Sequence, residues 1–424
     1  MSFGKRARAR LCAGLLAGAV GSGVLLAPPL QAHAIEPGEP YDTKMCRDWA
    51  SEPAGKSWQV ERMKPEQAWS RNQGEGVTIA VIDTGVDTDG VPMLEGADVT
   101  TVNFTGFEFR EKNEGMDDCA HGTSVVGLIV GQPDTDPNTN MVGIAPRAKV
   151  IAMRTLQVSV WDPEEGEPEL EPLEPTIAAI EEAVRLKVDI INISQQGSDT
   201  PAYRAAIKKA IDNDIVVIAA AGNKGSSSEL PYPAAYPGVI AVGMSGPGDL
   251  PNELSQWHRD LRVSVAAPAV EIPVVRPSGS EYGAAYALES GTSFAAPQVT
   301  GTVALMLSDN PDLTPDEVQA RLELTADPPP MAVPDKQLGY GIVNPQRAVT
   351  GVVPRDPEPP ASPPPGTPAP DPDDRVRPDT TMRNVALALS GAGVLGLGLA
   401  AALVLSAPSG RKRRWRPAAP RDDH

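Results

Sequence analysis

Short apolar runs that alternate with helical segments are the feature that most restricts how this chain can fold. The runs are rich in Val, Ile and Ala and occupy residues 77–82, 149–154, 188–194, 215–220, 239–243 and 262–266. Segments with a helical period, 176–184 and 201–213, lie between some of them. Apolar runs without polar alternation are typical of strands buried on both faces of a parallel sheet. The pattern predicts an α/β fold with a doubly wound, mostly parallel sheet and helices on both faces.

The N-terminal region carries the pattern of an export signal. Residues 1–34 contain a basic segment, an apolar run from 11 to 27 and the small-residue sequence Ala32-His33-Ala34. This arrangement predicts a cleaved secretory signal peptide, whereas an uncleaved anchor is disfavoured because glycines and two prolines interrupt the run. Residues 35–75 are polar, and we interpret them as an N-terminal extension that wraps the core. The alternative for this stretch is a cleaved pro-segment.

The C-terminal region has the composition of a membrane anchor. Residues 351–384 are rich in proline and predict an extended linker. Residues 385–405 contain no charged side chain, and these 21 residues are long enough to cross a bilayer core as a helix. The basic tail, 406–424, indicates a cytoplasmic end by the positive-inside rule. We therefore expect a single-pass protein of the cell membrane whose main body is extracytoplasmic.

Net charge and cysteine content restrict the kinds of partner, disulfide and metal site that this chain can have. The formal net charge of −18 argues against nucleic acid as a partner. Of the three cysteines, Cys12 lies in the predicted signal peptide, which leaves Cys46 and Cys119 in an oxidising compartment. Such a pair predicts one disulfide, whereas two cysteines without C-x-x-C spacing make a poor zinc site. We expect no metal and no cofactor.

Three polar residues stand next to apolar elements. Asp83 follows the first predicted strand, Asn223 follows the run 215–220, and Ser293 precedes a small, apolar helix. In open α/β sheets, functional residues lie at the carboxyl ends of the strands. Each residue also has an ordinary alternative, because Asp and Asn are common in turns and Ser is a common helix cap.

Elimination points to one histidine as a candidate base. The chain has four histidines, and only His121 and His258 lie in the predicted exported body. His258 belongs to a polar loop, whereas His121 precedes a small apolar helix. A serine nucleophile needs a base to take its proton, and that base needs a carboxylate to orient it. These requirements suggest a constellation of Asp83, His121 and Ser293.

Four short motifs resemble the signatures of the subtilisin-like serine proteases, in that family's order. They are Asp83-Thr84-Gly85, His121-Gly122-Thr123, Ala221-Gly222-Asn223 and Gly291-Thr292-Ser293 followed by Ala295 and Pro297. The resemblance implies a protease domain over 76–350 that hydrolyses peptide bonds through an acyl-enzyme. It further implies that Asp83 orients His121, which acts first as base and then as acid. Ser293 would be the nucleophile, and Asn223 would donate to the oxyanion.

The chain also resembles a narrower group, the mycosins, which are membrane-anchored subtilases of type VII secretion. The resemblance is carried by Asp118-Cys119-Ala120-His121-Gly122-Thr123 together with the export signal, the extension, the proline-rich linker and the C-terminal apolar segment. It implies two kinds of partner, the type VII secretion membrane complex and secreted proteins that undergo limited processing. The alternative is a stabilising component of that complex whose protease activity is secondary.

One segment departs from the family pattern. Ser194, Gln195 and Gln196 fall where typical subtilisins have a Ser-Leu-Gly-Gly segment lining the first specificity pocket. These three residues are therefore candidates for substrate binding, and the two glutamines argue against ordinary subtilisin specificity. No oxygen-rich calcium loop is evident, so the resemblance implies no calcium site here.

Overall fold

The computed structural model describes residues 56–351, apart from 89–90, 106–119, 134, 136–138, 157–171 and 277–285. The predicted signal peptide, linker and membrane segment lie outside the described residues, and so do Cys46 and Cys119. Over the part of the chain that is described, no helix combines the length and the apolar character that crossing a membrane requires.

The core is a mixed, mostly parallel sheet of eight strands. Its strands are β1 (Thr78–Asp83), β2 (Val99–Asn103), β3 (Lys149–Arg154), β4 (Ile190–Ile193), β5 (Val216–Ala220), β6 (Ile240–Gly246), β7 (Leu250–Pro251) and β8 (Val263–Pro268). The spatial order is β2-β3-β1-β4-β5-β6-β7, with β8 also paired to β6, and only the β6–β7 pair is antiparallel. Because β1 is central and the chain winds outward on both sides, the predicted doubly wound fold is confirmed.

Helices cover both faces of this sheet. They are α1 (Trp58–Met63), α2 (His121–Val130), α3 (Glu174–Leu186), α4 (Pro201–Ile211), α5 (Thr292–Asp309), α6 (Pro315–Thr325) and α7 (Pro345–Thr350). Successive side chains of a strand point to opposite faces. Ile79 and Val81 of β1 accordingly pack in the core that contains α2 and α5, whereas Ala80 and Ile82 pack in the core that contains α3 and α4.

Several elements were not predicted from the sequence. The edge strand β2 is partly exposed along its whole length, so it lacks a buried apolar run. A two-stranded antiparallel sheet formed by β9 (Ile272–Val275) and β10 (Tyr286–Glu289) was also missed, as was α1. α6 begins with a capping box, since the side chains of Thr314 and Glu317 each bind the backbone N–H of the other residue.

The described part of the predicted extension packs on the sheet domain. Trp58 Nε1 donates to the carbonyl of Val270 at 3.0 Å, and Gln59 Nε2 donates to that of Pro273 at 3.2 Å. Farther along, Trp69 Nε1 donates to the carbonyl of Ile144 at 2.9 Å. Because these indole and amide donors are hydrogen-bonded, α1 and the residues between α1 and β1 can bury their apolar surface.

Asp327 joins this extension to the end of the domain. Its carboxylate accepts hydrogen bonds from Arg62 Nη1 at 3.0 Å, from Arg347 Nη1 at 2.9 Å and from Asn344 Nδ2 at 3.0 Å. Burial by itself opposes ionisation of Asp327, but the hydrogen bonds from Asn344 and Arg347 and the charge of Arg62 together lower its pKa below the ordinary value. The folded protein therefore holds this carboxyl group ionised more strongly than the unfolded chain does.

Asp327→Asn is expected to reduce the free energy of unfolding near neutral pH and to weaken its acid dependence. A lowered folded-state pKa contributes stability above the unfolded value of about 3.8, and that contribution disappears as the pH falls through the folded value. Urea unfolding across the acid range should show the gap between wild type and variant closing toward low pH. The exposed carboxylate of Asp312 provides the control, and an equal pH profile for Asp312→Asn would contradict the assignment.

Candidate active site

The end of β1 and the start of α2 bring Asp83 and His121 into contact. Asp83 is the last residue of β1, and His121 is the first residue of α2. His121 Nδ1 lies 2.7 Å from Asp83 Oδ1, with the two side chains 11 % and 1 % exposed. A carboxylate only accepts hydrogen bonds at neutral pH, so Nδ1 carries the proton and Nε2 is left as the basic nitrogen. The pair therefore fixes both the tautomer and the orientation of the imidazole.

Thr84 clamps these two elements together. Its backbone N–H donates to Asp83 Oδ1 at 2.7 Å, and its Oγ1 accepts from the backbone N–H of Gly122 at 2.9 Å. A Cβ on Gly122 would lie 2.0 Å from the carbonyl oxygen of Gly85. The glycine of the His-Gly-Thr motif is therefore required by the close approach of two backbones.

Ser293 lies in the first turn of α5, close to the histidine. The helix begins at Thr292 with Gly291 as its N-cap and without a side-chain cap bond, so the interpretation of Ser293 as a cap is wrong. The rings of His121 and Phe294 are 5.2 Å apart between centroids, which places the first turns of α2 and α5 side by side. Ser293 Oγ makes no hydrogen bond to any described residue. Such bonds are often long in resting enzymes and tighten when substrate binds.

Asn223 presents its amide nitrogen to the same space as the serine hydroxyl. Its Oδ1 accepts from the backbone N–H of Thr292 at 2.8 Å and from Thr292 Oγ1 at 3.0 Å. Because the backbone N–H can only donate, the amide orientation is determined and Nδ2 points away from it. A Cβ on Gly291 would meet Ser293 Oγ at 3.2 Å and Asn223 Nδ2 at 3.3 Å, so both atoms border this small space. A substrate carbonyl oxygen held in this space would lie near the Asn223 amide donor and the Ser293 hydroxyl.

Thr292 is a positioning residue that sequence reasoning missed. Its hydroxyl accepts from the backbone N–H of Gly222 at 2.9 Å and donates to Asn223 Oδ1. It therefore ties the end of β5 to the start of α5 and holds the asparagine amide in one orientation. The sequence signal that could have identified Thr292 is its position between Gly291 and Ser293 in the fourth motif.

The structure gives the hydroxyl of Ser194 a structural contact. Pro297 lies inside α5 and has no N–H to donate to the carbonyl of Ser293, four residues earlier. Ser194 Oγ donates to that carbonyl at 3.0 Å and accepts from Asn192 Nδ2 at 3.0 Å. Asn192 in turn accepts from Thr300 Oγ1 at 2.9 Å. This buried network anchors the turn that carries Ser293.

The two neighbouring glutamines diverge after β4. Gln195 Nε2 donates to Thr176 Oγ1 of α3 at 2.7 Å, which holds that amide against the helix. Gln196 Nε2 donates to Gln256 Oε1 at 3.2 Å, beside Gly222. Gln196 is therefore the glutamine whose amide approaches the strand end that carries Asn223. That these residues bind substrate stays a prediction.

A cavity of about 460 Å³ lies at the opposite edge of the sheet. It is lined in part by Asp189 and Ile215, which precede β4 and β5, whereas Asp83 and Asn223 lie at carboxyl ends of strands.

In the described part of the chain, no three His, Cys, Asp or Glu side chains are grouped so that they could hold a metal ion.

This chain is similar to known proteins in sequence and in structure. The family model described as the subtilase family matches residues 74–341. Mycosin-3 of Mycobacterium tuberculosis (strain ATCC 25618 / H37Rv) is 32 % identical over 399 residues, which cover 82 % of each chain. The major intracellular serine protease of Bacillus subtilis (strain 168) is 34 % identical over 256 residues, or 59 % of this chain and 74 % of the relative. The crystal structure of MycP1 from the ESX-1 type VII secretion system superposes with a TM-score of 0.58 at 26 % identity, covering 73 % of this chain and 89 % of that one.

Ser194→Ala is expected to lower the free energy of unfolding by about 1–3 kcal/mol, because it leaves the Ser293 carbonyl without a donor. The matched control is Ser245→Ala, since Ser245 Oγ is also buried but has no hydrogen-bond partner in the described structure. Removing that hydroxyl should be neutral or stabilising. Urea unfolding of both variants measures the difference, and equal losses would contradict the role given to Ser194.

Proposed function

We propose that this chain, which belongs to the subtilase family of serine proteases, is a membrane-anchored endopeptidase that cleaves protein substrates outside the cytoplasm. The observation that carries the enzymatic part is the Asp83–His121 contact beside a serine and an asparagine amide that border one space. These groups supply the orienting carboxylate, base, nucleophile and oxyanion donor that acyl transfer requires.

The first chemical step is attack by Ser293 Oγ on the scissile carbonyl carbon. His121 Nε2 takes the serine proton as the new C–O bond forms, and the imidazole becomes an imidazolium. Asp83 stabilises that cation through the 2.7 Å hydrogen bond at Nδ1 and stays ionised. Its burial strengthens this interaction, because little water screens the charges.

The tetrahedral oxyanion is stabilised by groups that are already oriented. Asn223 Nδ2 donates to it, held in place by Thr292, and the backbone N–H of Ser293 is available because it belongs to the first turn of α5. The amino end of α5 adds a favourable dipole. His121 then protonates the leaving amine, and a water activated by the same nitrogen hydrolyses the acyl-enzyme.

The cellular role that we propose is limited processing of secreted proteins at a type VII secretion membrane complex. The relatives that support it are mycosin-3 and MycP1 from the ESX-1 type VII secretion system. The similarity to mycosin-3 covers 82 % of this chain, which is more than the 74–341 region that the family model matches. The predicted export signal and membrane segment in the flanking segments also resemble those of the mycosins.

The proposed topology follows from those flanking segments. Residues 1–34 direct export and are removed, 385–405 cross the membrane, and 406–424 remain in the cytoplasm. The same topology places Cys46 and Cys119 in an oxidising compartment, where we propose that they form a disulfide. The extension would then be covalently stapled to the segment just before His121.

A fluorophosphonate probe is expected to label the full-length protein, and Ser293→Ala is expected to abolish the labelling. Peptide hydrolysis should fall by about 10⁴-fold or more, because the nucleophile is lost while the oxyanion donors remain. Ser290→Ala is the matched control, since its exposed hydroxyl only accepts from the backbone N–H of Glu271, and it should label normally. Absence of labelling in the wild type would favour the stabilising role in the complex.

Truncation after residue 384 is expected to release the protein from the membrane fraction into the medium. Deleting only 406–424 keeps the apolar segment, so that variant should remain with the membranes. Immunoblots of cell fractions measure the distribution. Release of both variants, or of neither, would argue against 385–405 as the anchor.

A further inference from the structure

The position of the histidine determines on which side of the serine the acyl half of a substrate lies. His121 protonates the leaving amine, so the leaving half of the peptide lies on the β1–α2 side. The carbonyl oxygen points to Asn223 Nδ2 at the end of β5. The acyl half therefore extends over the ends of β4 and β5, since β4 adjoins β1 and β5 adjoins β4. The side chain preceding the scissile bond must enter between these strand ends.

The side-chain amides of Gln196 and Gln256 lie beside Gly222, just after the end of β5. A Cβ built on Gly222 would lie 1.8 Å from Gln196 Nε2 and 2.4 Å from Gln256 Oε1. Both amides therefore pack directly on the backbone of Gly222, the residue before Asn223. The Gln196 side chain reaches this point from the segment after β4, two residues beyond Ser194, whose hydroxyl binds the Ser293 carbonyl. It thus reaches from the segment after β4 to the segment after β5.

Gln256 is held rigidly, and it determines how Gln196 is oriented. It is 1 % exposed, its backbone N–H donates to the carbonyl of Gly222 at 2.8 Å, and its Nε2 donates to the carbonyl of Glu229 at 3.0 Å. Because a carbonyl only accepts, Gln256 must direct Oε1 toward Gln196, which donates to it through Nε2. Moving Gln196 away would leave a buried oxygen without its donor.

We propose that the Gln196–Gln256 pair closes the pocket for the residue preceding the scissile bond, so that the enzyme accepts a small side chain there, such as alanine, glycine or serine. This inference rests on the proposed function and names a substrate class for the same site. A large side chain would have to displace the Gln196 amide and leave Gln256 Oε1 unpaired. We expect this to lower kcat/KM by roughly ten- to hundredfold relative to alanine.

The test compares two peptides that differ only in alanine or phenylalanine before the scissile bond, with the full-length protein in detergent. Wild type should favour alanine by roughly tenfold or more in kcat/KM. Gln196→Ala removes the amide that covers Gly222 and should bring the two rates within severalfold or reverse the preference. Gln196→Asn, whose amide is too short to reach Gln256, should shift the preference in the same direction if the alanine variant folds poorly.

Gln319→Ala is the matched control, because it removes a glutamine amide that is bound within α6, by Glu323 at 2.8 Å. It should leave the alanine-to-phenylalanine ratio unchanged. Labelling by a fluorophosphonate, which carries no peptide side chain, reports the reactivity of Ser293 in every variant. Labelled wild type that cleaves the phenylalanine peptide equally well, or an equal shift in Gln319→Ala, overturns this inference alone. Unlabelled wild type overturns the proposed function as well.

Discussion

The candidate site depends on the close approach of two small-residue helices that begin at the same edge of the sheet. α2 carries His121 and α5 carries Ser293, and both pack in one core on the face that also receives Ile79 and Val81. The turn after β1 approaches α2 just as closely and requires glycine there, since a Cβ on Gly122 would lie 2.0 Å from the carbonyl oxygen of Gly85. Interiors are packed so densely that one added carbon at such a point forces the elements apart. The position of His121 relative to Asp83 is thus determined by backbone packing.

The same closeness buries polar groups that must be hydrogen-bonded. The chain satisfies them with side chains from neighbouring strand ends: Thr84 for Gly122, Thr292 for Gly222 and Ser194 for the carbonyl left without a donor by Pro297. Each of these hydrogen bonds also holds a reacting group in position. Hydrogen bonds formed before substrate arrives need no rearrangement during the reaction, which is the physical basis of electrostatic preorganisation. The same hydrogen bonds at this edge of the sheet therefore stabilise the fold and hold the candidate catalytic groups in position.

The proposed reacting groups and the residues that we propose determine specificity lie on different elements. Asp83, His121 and Ser293 are held by β1, α2 and α5, whereas Gln196 and Gln256 belong to segments that follow β4 and β7. A substitution in those segments can alter which side chain enters without moving the nucleophile. This separation explains how a chain can keep the four family motifs and still differ from typical subtilisins at the pocket.

Local pattern was enough to predict the parallel strands, the large helices and the residues of the four motifs, because burial and turn formation leave a signal within a few neighbouring residues. The half-exposed strand β2 leaves no such signal. Tertiary structure alone decided that Ser194, 99 positions from Ser293, supports the serine's turn, and that Gln196 rather than Gln195 lies on Gly222. The reason is geometric: the direction of a side chain after a strand depends on backbone and partners that are distant in the chain.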